Sequence, residues 1–92
     1  MNTIEVQVEV TQEDIDAGLI GSCMRCPLAL AIIRRLDRAD IEVKRFRYSI
    51  GHSNFWWPLP AECSLFVQQF DGCYPVAPFT FVLAVPEELV KR

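Results

Sequence analysis

The sequence predicts an α+β domain: a single sheet of about four strands with two main helices on one side, in the order β-α-α-β-β-α-β. Three observations predict it. Ile4, Val6, Val8 and Val10 alternate with Glu5, Gln7 and Glu9. Pro27 and Pro60 each open an apolar stretch at helical spacing. Phe79, Phe81 and Leu83 alternate again near the other end of the chain.

The first alternating run, TIEVQVEV, reads as a half-buried strand. Thr11 follows as an N-cap, with Gln12, Glu13 and Asp14 in the first turn of a short helix that Gly18 ends. Pro27 suits a first helical position because its missing N–H has no partner there, which places Cys26 near the cap. Leu28, Ala29, Ile32, Ile33 and Leu36 then fall on one stripe, opposite Leu30, Arg34 and Arg38, near which the helix ends.

IEVKRFRYSIG reads as a strand whose alternation slips. Ile41 and Val43 share one phase and Phe46, Tyr48 and Ile50 the other, so a bulge at Lys44-Arg45 would return both sets to the core. Gly51 to Asn54 supply turn chemistry, and NFWW returns as a hairpin arm stopped by Pro58. In the second helix, opened by Pro60, Cys63, Phe66, Val67 and Phe70 share a face, with Gly72 in a left-handed closing position. FTFVLAV is apolar on both faces and reads as an interior strand, after which PEELVKR adds a last helical turn.

Ninety-two residues make one domain, 1–92, large enough for a single core. An apolar fraction of 51% against 23% charged residues excludes disorder. No apolar run approaches the roughly 18–20 residues of a membrane span, and MNTIEVQVEV has neither the basic start nor the apolar stretch of a secretory signal, so a cytoplasmic location is expected. A net charge of −3 argues against nucleic acid. The charge is unevenly spread: residues 1–20 hold five acids and no Lys or Arg, whereas residues 25–47 hold seven bases against three acids. If the chain ends pair in a sheet, one side is acidic and one basic, a layout suited to a protein partner or small anion unless the bases only solvate a helix face.

Cys23 and Cys26 form a Cys-x-x-Cys pair at a helix start, where the dipole and unpaired N–H groups favour a thiolate. A redox site of the thioredoxin type would follow a strand, and this pair follows a loop after a short helix. A zinc site would need Cys23, Cys26, Cys63 and Cys73 to converge, although Cys63 shares an apolar stripe and would also pack as a small hydrophobe. His52, the one histidine, sits in a polar turn without a companion acid. Glu13/Asp14 and Glu87/Glu88 are adjacent pairs that do not face each other on a helix and read as solvated.

FWWPLP packs Phe55, Trp56 and Trp57 side by side, so at least one ring must point away from the face that takes the others. Beside them in the hairpin lie Arg45, Arg47 and Tyr48. Rings next to guanidinium groups hold anionic ligands or anchor protein interfaces, and these five residues, Arg45, Arg47, Tyr48, Trp56 and Trp57, are the candidate binding site.

The segments VTQEDIDAG, SCMRCPLALAI and FVQQFDGCYPVAPFTFVL together resemble a family of small uncharacterised proteins encoded by bacteriophages and prophages. The resemblance spans most of the chain outside the hairpin and brings no established activity or residue roles. It implies a context in which small proteins act by binding a host protein or sequestering a nucleotide signal. The expectation is a noncatalytic binding protein of the host cytoplasm, without a cofactor and forming a homo-oligomer through exposed apolar area. The alternative is a zinc- or thiol-dependent protein centred on Cys23 and Cys26.

Overall fold

A computed structural model describes residues 2–51 and 55–87. The fold is α+β, with β1 (Thr3–Val10), α1 (Gln12–Ala17), α2 (Pro27–Leu36), β2 (Ile41–Val43), β3 (Arg47–Ile50), β4 (Trp57–Pro58), α3 (Ala61–Asp71) and β5 (Phe79–Pro86). The class follows the sequence reading and the order follows it roughly, the one strand expected over residues 41–50 being two, β2 and β3. The expected single sheet is instead two antiparallel ones, β1-β5 and β2-β3-β4.

The chain ends pair over their full length, Thr3 opposite Pro86 through Val10 opposite Phe79. The alternation of β1 sends Val6, Val8 and Val10 inward onto Phe81, Leu83 and Val85 of β5, leaving Glu5, Gln7 and Glu9 outside. β5 is not interior to a sheet, as its composition had led us to expect. Among the described residues its one strand partner is β1, and Val82 on its outer face is 50% exposed. Apolar residues on both faces of a strand report what lies above and below it, not what pairs beside it.

The slip in residues 41–50 is a chain reversal, not a bulge. Lys44 N–H donates to the Arg47 carbonyl at 2.8 Å, and the turn sets Ile41 opposite Ile50 and Val43 opposite Tyr48, so that all four face the core. A reversal restores inward phase as well as an extra residue does, and it leaves Phe46 at the tip, 63% exposed. The strands it makes are three and four residues long and pair with each other and with Trp57-Pro58, which is why they form a sheet of their own.

Both α1 and α2 begin as the sequence indicates. Thr11 and Asp14 exchange side-chain and backbone bonds in a capping box. The Cys26 sulfur accepts from Ala29 N–H at 3.4 Å, with Pro27 at the first turn. Gly18 ends α1 where the chain presses on the Pro27 ring. α2 buries Leu28, Ala29, Ala31, Ile32 and Leu36 between β1 and β2. α3 buries Cys63, Phe66 and Val67, and Phe66 meets Phe79 of β5 with ring centroids 5.1 Å apart. At its end the left-handed residue is Cys73 (φ 64°) and not Gly72 (φ −85°), because Gly72 N–H still bonds back to Gln68 in a last helical turn. The expected C-terminal turn lies mostly outside the described residues. No helix among the described residues is long and apolar enough to cross a membrane.

Candidate functional site

The β2-β3 reversal and the segment leading into β4 build one exposed face. Leu59 N–H donates to the Phe46 carbonyl at 2.9 Å, and Arg47 pairs with Pro58, so the FWWP run lies beside the tip of the hairpin. Trp56 is half-buried beneath two cations: Lys44 Nζ lies 4.9 Å and the Arg47 guanidinium carbon 5.0 Å from its ring centroid. Each such contact at an exposed site contributes about 0.5–1 kcal/mol, enough to orient the side chains. Phe46 at the tip and Phe55, next to Trp56 in the chain, are 63% and 74% exposed. Arg45 is exposed and, with Lys44, borders a concavity of about 360 Å³ that reaches to Gly21, Ser22 and Cys23.

Of the five residues predicted from sequence, Arg47 and Trp56 meet on this face, and Arg45 lies exposed in the same turn. Trp57 turns the other way and packs on Tyr48, ring centroids 5.8 Å apart. Tyr48 is fully buried and donates its hydroxyl to the Ala84 carbonyl, which removes it from any ligand surface. Burial pushes its phenol well above the ordinary range. Lys44 and Phe46, which were not among the five, belong to the same turn. The signal was present in KRFR, which forms a cationic and aromatic tip once the segment is read as a turn.

Three other bases of the middle segment are engaged internally, while Arg25 is exposed in the loop before α2. Arg34 forks onto Asp14 at 2.6 and 3.0 Å and also donates to the Glu9 carbonyl; Arg35 donates to the Gln7 carbonyl; Arg38 bonds Asp40. Asp14 is therefore not a solvated acid but a buried one. Its desolvation alone would raise its carboxyl, yet the bonds from Arg34 and Thr11 outweigh that and hold it below the usual carboxylate range. A broad concavity of about 690 Å³ on the outside of β1 is lined by Gln7, Glu9, Arg34, Arg35 and Thr80. Glu9 there opposes the guanidinium charges, so this concavity is less suited to an anion than the hairpin face is.

The cysteines do not converge. Cys26 is buried at the α2 cap, Cys63 is buried on α3, Cys23 is half-buried in the loop with its sulfur 4.0 Å from Glu42, and Cys73 is exposed. Burial raises the Cys26 thiol despite the bond from Ala29, so the helix N-terminus does not yield a low-pKa nucleophile there. Among the described residues no three His, Cys, Asp or Glu side chains are grouped to hold a metal. His52 and Glu88 lie outside the described residues.

Comparison with protein-family models, curated proteins and solved structures finds no match to this chain.

Proposed function

We propose that the chain is a noncatalytic binding protein of phage origin, working in the cytoplasm of its host, and that it caps an acidic surface of a host protein with the face formed by Lys44, Arg45, Phe46, Arg47, Phe55 and Trp56. One observation carries this reading: two cations lie over Trp56, in a hairpin whose tip residue Phe46 and neighbouring Phe55 are both largely exposed. Aromatic and arginine side chains together are the usual anchors of protein interfaces, and rim cations speed the approach to an acidic partner. A face led by protruding rings suits a protein surface better than an enclosed small molecule. Phage origin rests on the resemblance of the three segments outside the hairpin.

The zinc or thiol reading has less support, since Cys23 and Cys26 find no further ligands grouped with them among the described residues. Metal analysis of protein purified without chelator addresses it. About one zinc per chain, lost together with folding in Cys23→Ser, would restore it.

The binding reading is tested by comparing wild type with an Arg45→Ala/Arg47→Ala/Trp56→Ala variant in quantitative co-purification from host cells. Circular dichroism serves as the check on folding, and native mass spectrometry as the check on small ligands. The expected result is one acidic host protein held by wild type in a salt-sensitive way and lost at least about tenfold in the variant. Equal recovery by both would reject the face, and a co-purifying small anion would replace the protein partner.

A further inference from the structure

We propose that the outer edge of β5 pairs antiparallel with the same edge of a second copy, giving a continuous four-stranded sheet, β1-β5-β5-β1, across a two-fold axis. The hydrogen-bond phase of the ribbon is fixed by Glu87 N–H donating to the Asn2 carbonyl at 2.9 Å. In an antiparallel ladder bonded pairs alternate, so Phe79, Phe81, Leu83 and Val85 bond to β1 while Thr80, Val82 and Ala84 direct their N–H and C=O groups away from it. The side-chain bonds agree with this phase: Tyr48 reaches the Ala84 carbonyl on one edge, and Arg35 and Arg34 reach the Gln7 and Glu9 carbonyls on the other. Among the described residues no partner is recorded for the outward main-chain groups of Thr80 and Val82.

The two edges of the ribbon differ. On β1, Glu5 and Glu9 stand on the outer face and two arginines cover the carbonyls, which are the charged and capped features that keep an edge strand from pairing. β5, FTFVLAVP, has eight residues, no charge and no bulge in its register with β1, and its outer face offers only Thr80, Val82 and Ala84. Such an edge is a template for another strand.

Self-pairing suits it in particular. A two-fold axis at Phe81 sets Thr80 opposite Val82 of the second copy and Val82 opposite Thr80 of the second copy. Each of these residues then donates once and accepts once, which uses the open groups and leaves the Tyr48–Ala84 bond in place. No charge on either β5 opposes the pairing, and β-branched neighbours across strands favour it.

Sedimentation of the full chain under reducing conditions, from low to high micromolar, tests the proposal. Wild type is expected to reach twice its 10.5 kDa chain mass. Val82→Lys places a charge on an exposed position and Thr80→Pro removes a donor that β1 does not use, so both are expected to stay monomeric with an unchanged circular dichroism spectrum. Amide exchange at Thr80 and Val82 should slow as wild-type concentration rises. A wild type that stays monomeric throughout, or edge variants that dimerise like wild type, would overturn the proposal. So would loss of the dimer in Phe46→Ser/Phe55→Ser alone, which would move the contact to the hairpin face.

Discussion

Tyr48 in the middle strand of one sheet donates its hydroxyl to the main-chain carbonyl of Ala84 in the other. This side-chain bond ties the hairpin unit to the strand pair built from the chain ends. The ring supplies apolar bulk to the core while its polar end finds an acceptor, which is how a tyrosine is accommodated at 0% exposure. Tyr48→Phe keeps the bulk and removes the donor. We expect urea denaturation to show a loss of about 1 kcal/mol with an unchanged slope. A neutral result would mean that the bond contributes nothing net to holding the sheets together.

Gly18 is where the end of α1 touches the start of α2. A Cβ at this position would sit 2.5 Å from both Cγ and Cδ of the Pro27 ring, and that ring is itself fully buried. Its φ of −70° is open to any residue, so the constraint is space and not backbone conformation. Gly18→Ala should force the two helices apart and lower stability by roughly 1–3 kcal/mol, read as a fall in melting temperature. An unchanged melting temperature would show that the contact relaxes freely.

What could be read from the sequence was local and periodic. The phase of β1, the Thr11 cap, the Cys26-Pro27 start of α2 and the Cys63-Phe66-Val67 face of α3 each declare themselves within a few residues, and the structure has them where the pattern put them. The 41–50 segment did not, because a bulge and a reversal restore the same inward phase and only pairing partners tell them apart. Long-range polar partners were equally hidden. Asp14 looked solvated until Arg34, twenty residues on, was brought to it, and Tyr48 looked like a binding residue until its hydroxyl met Ala84. On the candidate face, the expected return of NFWW as a hairpin arm was enough to place Trp56 with Arg47. Placing Lys44 there required the turn.

The Asp14–Arg34 pair predicts an acid dependence of stability. Burial opposes ionisation of Asp14, but the Arg34 fork and the Thr11 N–H overcome it, so its folded pKa lies below its unfolded value near 3.9. A group depressed on folding contributes fully above the unfolded pKa, and its contribution is lost as pH falls through the folded one. Wild type should therefore lose stability as pH drops below roughly 4. Asp14→Asn should be less stable at neutral pH and show a shallower decline below it. Chemical denaturation of both proteins across that range measures the difference, and parallel curves would assign the acid sensitivity to other carboxylates.

The four thiols should separate by reactivity, because their surroundings differ far more than their chemistry. Cys73 is exposed in the turn after α3, and Cys23 is half-buried in the loop before α2. Cys63 has 0% exposure, and its thiol is pushed up to about 12 by burial, with Glu62 adding a smaller push in the same direction. Cys26 is raised chiefly by burial as well, and its sulfur is occupied by the Ala29 N–H. Thiolate, not thiol, is the nucleophile, so access and pKa act together here. Alkylation with iodoacetamide near neutral pH, followed by peptide mass spectrometry, should label Cys73 first and Cys23 second, with Cys26 and Cys63 reacting only once the protein unfolds. Labelling of Cys26 at the rate of Cys73 in the folded protein would instead mark the α2 start as an accessible, activated thiol, and would return the Cys-x-x-Cys pair to the centre of the functional question.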